Sequence, residues 1–267
     1  MKDIRHFFSL KRDPFAQDLP PADLFELPSL APLQKRIEFA LSLKNFTLVT
    51  GEVGSGKSTS LRYVTHHLPT GAYEVLFFTA GTYGMTEFYR QILLCFGVVS
   101  SSYKSSIMIK QIQDFLREIH GRRVTPVLII DEAHLLKTEV FGQLHLLSQD
   151  AYDSNPLLPT ILCGQDLLID KLMNPSSKPL ASRILGRSHL EAIRKDVMVS
   201  YIRHHLKIAG TTEKIFSDDA ITAIHQGSGG LLRRANGLCR GALLAAALEK
   251  NRQVSAEHVR AALTELI

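Results

Sequence analysis

The sequence predicts an α/β fold: a parallel sheet covered by helices on both faces, followed by a small all-helical domain. Three observations predict it. Short apolar runs alternate with stretches of helical period up to about residue 195. Beyond that point strand-like runs stop and only helical segments remain. One of the apolar runs leads directly into a glycine-rich loop that opens a helix. Alternating short strands and helices imply parallel βαβ units, whose sheet is buried on both sides.

The elements follow in order. Residues 10–32 hold Pro14, Pro20, Pro21, Pro28 and Pro32, so the chain enters as an irregular, extended arm. Ser29 is placed to cap a helix over 33–44. Residues 46–50 (FTLVT) read as a short buried strand running into Gly51. A helix over 57–68, a strand over 73–79 (YEVLFFT) and helices over 86–96 and 107–120 come next. A third strand covers 124–130, broken by Pro126 near its start. A helix over 139–150, a strand over 160–163 and a fifth strand over 187–190 complete the sheet region. Four helices remain, over 196–209, 218–227, 231–249 and 255–266, punctuated by Gly210, the Gly-Ser-Gly-Gly run at 227–230 and Ser255. Asp196 and Ser217 are the expected N-caps. The reading divides the chain into a core domain with its arm, residues 1–195, and a helical domain, residues 196–267.

Composition narrows the class. The 267 residues suffice for a full core, and 45% apolar with 21% charged residues is an ordinary soluble balance. No apolar run approaches the roughly 20 residues of a spanning helix. The N-terminus does not lead into a signal-peptide core, so a cytoplasmic protein without a membrane partner is expected. Net charge +5 and a pI of about 9.1 permit a polyanionic partner such as DNA without demanding one. Cys95, Cys163 and Cys239 are isolated and read as buried free thiols in a reducing compartment. His66-His67 and His204-His205 are adjacent pairs; neighbours on a helix point about 100° apart, so both read as surface or boundary residues rather than metal clamps.

Two stretches carry chemistry. Residues 51–58 (GEVGSGKS) match G-x-x-x-x-G-K-[ST] in full, with a strand before and a helix after. Gly51, Glu52, Val53, Gly54, Ser55, Gly56, Lys57, Ser58 and Thr59 are therefore the candidate nucleotide-binding residues. The glycines let backbone N–H groups close around phosphate oxygens. Lys57 is placed to reach the β- and γ-phosphates, and Ser58 to put its hydroxyl on Mg²⁺. Residues 127–132 (VLIIDE) form a buried strand with carboxylates at its tip. Asp131 is placed for the Mg²⁺ shell, and Glu132 to orient and deprotonate an attacking water. Together they point to transfer of the ATP γ-phosphoryl group to water. Residues 131–134 also spell the DEAH box of some helicases, which reads as coincidence in a chain too short for two helicase lobes.

Later features are open to two readings each. Gln165 ends the strand of residues 160–165 (TILCGQ) and is either a γ-phosphate sensor or a plain loop residue. Arg183 and Arg187 offer either an arginine finger for a neighbouring subunit or a solvated basic face. Arg233, at the start of a helix in the second domain, is placed to touch the γ-phosphate, and Arg234 to be exposed.

This ordered set resembles the AAA+ ATPases, and more narrowly the group holding ExeA-type secretion ATPases and the transposition regulators TnsC, TniB and MuB. Residues 7–15 (FFSLKRDPF) resemble the group's F-x-L-x-x-x-P-F opening. Residues 51–58 match Walker A, and Asp131 with Glu132 match Walker B. Gln165 matches sensor 1, and Arg183 and Arg187 fall in the L-x-x-R-x-x-x-R stretch that carries the finger. Residues 230–233 (GLLR) resemble the sensor-2 G-x-P-R, with Leu232 where proline is usual. The resemblance implies a three-layer αβα P-loop core with a helical lid, ATP bound between core and lid and between subunits, and a homo-oligomeric ring or filament. In the transposition branch the filament winds on double-stranded DNA and recruits a transposase or target-selection protein. That branch is favoured here because the sequence shows neither the membrane helix nor the wall-binding domain of an ExeA-type ATPase, and because its pI suits a phosphate backbone. Lys104, Lys110, Arg122 and Arg123 are the candidate DNA contacts. The alternatives are a secretion-complex assembly ATPase acting without DNA, and a nucleotide switch, which could dispense with Glu132.

Overall fold

The computed structural model describes residues 2–150 and 155–265. In chain order the elements are α1 (Lys2–Phe7), α2 (Leu30–Ser42), β1 (Phe46–Gly51), α3 (Lys57–His66), β2 (Tyr73–Thr79), α4 (Met85–Cys95), α5 (Ser105–Gly121) and β3 (Thr125–Asp131). They continue as α6 (Thr138–Leu147), β4 (Gln149–Asp150), β5 (Asn155–Pro156), β6 (Thr160–Gly164), α7 (Leu167–Met173), α8 (Lys178–Ala181) and β7 (Ile184–Leu190). The last four are α9 (Lys195–Ile208), α10 (Asp218–Ser228), α11 (Leu232–Leu248) and α12 (Ala256–Glu265). The chain divides into two compact units. One comprises Ser29–Gly51 and Ser60–Leu190; the other comprises Met1–Pro28, Glu52–Thr59 and Glu191–Ile267.

The first unit is a three-layer α/β fold. Its five-stranded sheet has the order β2-β3-β6-β1-β7, every neighbour parallel. β1 and β6 are buried along their whole length, as inner strands covered on both faces must be. Phe46 and Leu48 of β1, Leu76 and Phe78 of β2, Leu128 and Ile130 of β3 and Leu162 of β6 share one apolar cluster with α4, α5 and α6. Met108, Ile112, Leu116 and Ile119 of α5 recur at helical spacing and are all buried, which is why this segment coils rather than extends. On the opposite face α2 packs against β1 and β7 through Leu33, Ile37 and Leu41. Because the strands are parallel, Gly51, Asp131 and Gly164 all end at the same, carboxyl edge of the sheet, where open α/β folds bind ligands.

The second unit is helical. α10 and α12 both pack on α11. The Ser217 hydroxyl caps α10 by accepting the Ala220 N–H at 3.1 Å. The N-terminal segment packs on these helices rather than trailing away. Phe15 is fully buried, stacks on the His205 ring at 5.5 Å and meets Phe216 edge-on at 6.3 Å. Arg240 pairs with Asp13 at 2.8 Å and donates to the Phe15 carbonyl at 2.6 Å. Arg12 joins Asp23 at 2.7 Å and the Ile208 carbonyl at 3.0 Å.

Several expectations need correction. The first long helix, α2, begins at Leu30, three residues before the expected start, and Ser29 makes no side-chain cap bond. The expected helix over 139–150 ends at Leu147. β3 is continuous through Pro126: the Thr125 N–H points to β2 and the Leu128 N–H to the β6 side, so the missing donor at 126 faces a level where β6 has not begun. Asp196 lies in the first turn of α9, with Arg194 at the cap position. His205 is buried, not superficial, and bonds the Pro14 carbonyl through Nδ1 at 2.6 Å. Cys95 is only half buried, whereas Cys163 and Cys239 are fully so. The fifth strand is longer than 187–190, and α1, α7 and α8 were not anticipated. Residue 266, the end of the expected last helix, lies outside the described residues.

Candidate functional site

β1 delivers the chain at Gly51 into a loop that opens α3. Gly54 and Gly56 adopt φ of +87° and +96°, left-handed backbone that L side chains rarely take. A Cβ on Gly54 would lie 2.9 Å from the Arg233 Cβ, and one on Gly56 would lie 3.0 Å from Leu232 Cδ1. The loop therefore needs glycine at both places for space as well as for φ. Successive N–H groups in such a turn, followed by a helix N-terminus, make an anion cradle. Lys57 is buried, and its Nζ donates to the Glu52 carbonyl at 2.9 Å, which curls the ammonium back over the loop. The Ser55 hydroxyl is buried and finds no hydrogen-bond partner among the described residues, as expected of a group whose partner is a ligand. Glu52, Val53, Ser58 and Thr59 are exposed.

The start of α11 lies against this loop in the same unit. The Arg233 N–H donates to the Gly54 carbonyl at 3.2 Å. The exposed Arg233 side chain thus emerges beside the phosphate cradle, and Arg234 is exposed too. Leu232, at the position where the resemblance expects proline, is buried over Gly56.

At the carboxyl edge of the sheet, Asp131 is buried and its Oδ1 accepts the Glu132 N–H at 2.9 Å. Glu132 itself takes φ 52° and ψ 33°. A non-glycine residue in the left-handed region stores about 1–2 kcal/mol, and such outliers gather at functional sites. Its carboxylate lies 3.3 Å from Nδ1 of the buried His134, whose Nε2 is 3.1 Å from the Gln165 amide nitrogen. The structure therefore brings Glu132 and Gln165 together through a residue that the sequence offered only as the last letter of a coincidental box. Lys171 of α7 bonds the carbonyls of His134 and, at 2.7 Å, Leu136, pinning the turn. Nearby, His189 of β7 joins Thr50 at 3.0 Å and Asp166 at 3.3 Å.

The remaining candidates do not gather. Arg183 is half buried and donates to His145 Nδ1 at 3.2 Å. Arg187 is exposed on the edge strand β7. Lys104 precedes α5 and Arg122 with Arg123 follow it, so they sit about 25 Å apart at opposite ends of a 17-residue helix, with exposed Lys110 between. Arg122 is moreover paired with Glu118.

Comparison with known proteins gives the context. A family model described as "AAA domain" matches residues 40–173, half of the chain. General secretion pathway protein A of Aeromonas hydrophila is 31% identical over 247 residues, covering 90% of this chain and 44% of that protein. The chain thus spans less than half the length of this relative. Among solved structures, the Cdc6p protein of Pyrobaculum aerophilum superposes with a TM-score of 0.76 at 15% identity, covering 95% of this chain and 70% of the other. Drosophila ORC bound to DNA gives 0.70 at 19% identity, covering 98% and 65%. At those identities the likeness is one of fold. The family match takes in the glycine loop and both acids at the tip of β3, and with it the chain belongs to the AAA domain family of P-loop ATPases.

Proposed function

We propose that this ATPase uses Glu132 as the base that takes a proton from water as the water oxygen attacks the γ-phosphorus, ADP leaving with the bridging oxygen. The observation that carries the assignment is the left-handed Glu132 at the tip of β3, beside the buried Asp131 whose Oδ1 accepts its N–H at 2.9 Å. Lys57 and the loop N–H groups orient the phosphates, and Arg233 supplies positive charge from the start of α11. The Ser58 hydroxyl and the Asp131 carboxylate are each a hard oxygen donor of the kind that suits Mg²⁺, and the left-handed glycines with the Ser55 hydroxyl, which has no hydrogen-bond partner among the described residues, suit a phosphate chain. Mg²⁺, when bound, neutralises charge building on the phosphate oxygens. Arg187, exposed on an edge strand, is the better finger candidate, because Arg183 is engaged with His145. A finger acts on a second subunit's nucleotide, so the reading includes a homo-oligomer.

For the work that hydrolysis drives, we infer remodelling of a protein assembly of the secretion type. The identity with General secretion pathway protein A across 90% of this chain supports it. A second reading, a DNA-bound regulator of transposition that recruits a transposase or target-selection protein, draws on the basic pI and on the fold shared with an ORC structure bound to DNA. ATP turnover and sedimentation, with and without double-stranded DNA at two salt concentrations, separate the two. ATP-driven assembly on DNA that weakens with salt favours the transposition reading. Turnover with no DNA binding even at low salt favours the secretion reading. No turnover under any condition overturns the assignment of Glu132.

A further inference from the structure

Away from the phosphate cradle, the helical unit carries a cleft of about 370 Å³ between α9, the segment that follows it and the start of α10. Its floor is apolar. Ile202 and Leu206 come from α9, one turn apart; Ile215 and Phe216 come from the connecting segment, and Ile221 from α10. None of the residues that line it belongs to the glycine loop or to the start of α11, so the ATP chemistry leaves this cleft without a role.

Both banks are fixed by the backbone. Gly210, at φ +94°, ends α9, and the Thr211 N–H turns back to the Leu206 carbonyl at 3.1 Å. The Glu213 N–H donates to the Thr211 hydroxyl at 3.2 Å. Farther along, the Val254 N–H donates to the Ile215 carbonyl at 2.7 Å and the Ser217 N–H to the Val254 carbonyl at 3.0 Å. The segment facing α9 is thus tied down on either side of the cleft, and preformed concave walls are what ligand sites share.

The rim is basic. Arg203 and Lys207 stand one turn apart on α9, exposed beside Ile202 and Leu206, and Lys214 is exposed on the facing segment. Among the residues that line the cleft, Glu213 is the one acid. Neither Arg203 nor Lys207 forms an ion pair among the described residues, and Asp218, whose charge Arg203 also feels, is already bonded by Lys214 at 2.7 Å. Phosphates of a duplex would meet these cations but leave the apolar floor empty. A lipid-like amphiphile carries its charge at one end, whereas the cations here stand on both banks. A peptide crossing the cleft meets both banks and the floor. The volume, at the low end of the roughly 300–1,000 Å³ of ligand pockets, suits a few anchor side chains of a short segment.

We propose that this cleft docks a short acidic segment of a partner protein, with apolar side chains on the floor and Asp or Glu carboxylates against Arg203 and Lys207. The proposal goes beyond the ATP chemistry and holds whichever residue is the base.

The test pans a phage-displayed library of random peptides on the full chain, with counter-selection on the Arg203→Glu/Lys207→Glu double variant. Enriched peptides are synthesised with a fluorescent label, and their affinity is read by anisotropy. They are expected to combine Asp or Glu with Leu, Ile or Phe. The double variant should bind them at least about tenfold more weakly, because attraction at two positions becomes repulsion. Thr212→Trp, which fills the cleft from an exposed position on its lining, should weaken them too. Rising salt should weaken binding without abolishing it, since the apolar anchors are not screened. ATP turnover and the melting temperature should stay at parent values in both variants, which shows that they fold. A library that yields no such peptides, or peptides that bind the double variant as tightly as the parent, overturns the proposal. Displacement of the peptides by double-stranded DNA overturns it in favour of a phosphate site. Sedimentation in which the parent self-associates and the double variant does not overturns it in favour of a second copy of the chain.

Discussion

His205 lies in the helical unit, with its ring stacked on Phe15 and tilted against Tyr201 at 4.2 Å. Burial pushes its pKa down from 6.5 to about 4. The hydrogen bond to the Pro14 carbonyl opposes the shift, His204 and Arg12 add to it, and Asp13 opposes it. The unfolded chain therefore takes up a proton before the folded one does. The neutral ring's stabilisation is complete above pH 6.5 and is lost as pH falls toward 4, at about 1.4 kcal/mol for each pH unit. Across the whole window about 3 kcal/mol is at stake, a large share of a typical domain's 5–15 kcal/mol. His205→Asn removes the titration and keeps a donor for Pro14. Urea unfolding followed by far-UV circular dichroism, a suitable probe for a chain with no tryptophan, compares the two at pH 7 and pH 5. The parent is expected to lose about 2 kcal/mol more than His205→Asn over that interval, the other titrating groups being common to both. Equal losses in the two proteins would refute the claim that the arm and α9 hold this imidazole neutral.

Other perturbations test the site and its frame. Lys57→Ala should abolish ATP binding in calorimetry; retained tight binding would remove Lys57 from the phosphate site. Arg187→Ala should lower hydrolysis by about 10³-fold with ATP binding kept, as for a finger acting in trans; if Arg183→Ala alone does this, the assignment moves to Arg183. Gly230 has φ +77°, and a Cβ there would stand 2.4 Å from the Ile193 carbonyl oxygen. Gly230→Ala should therefore destabilise the chain by about 2 kcal/mol or more, read as a lowered urea midpoint.

Much of this molecule could be read from its sequence, and the parts that could not share a physical cause. The strand over 73–79 and the helices α4 and α5 followed from period alone, because their apolar faces are decided by local spacing. The phosphate loop was legible because its glycines answer a local backbone demand, as their positive φ shows. Tertiary partners were not legible. Ser29 has capping chemistry but no cap bond, and His205 looked superficial because Phe15 and Pro14 arrive from 190 positions away. His134 is the clearest case. Nothing within five residues reveals that a glycine at 164 clears its ring and that Gln165 meets both of its nitrogens.

The fit of Leu232 and Arg233 against Gly54 and Gly56 has a consequence for how sequences of this kind drift. A loop that already uses every ångström cannot tolerate a bulkier neighbour, so residue 232 inherits a size limit from a motif some 176 positions upstream. Where proline is usual, this chain carries leucine, and the compensation must lie in the same knot of backbone. Homologues that exchange these residues are expected to do so in concert, and a chimera that takes its loop from one relative and its α11 from another should lose nucleotide affinity although every residue proposed to touch phosphate is intact.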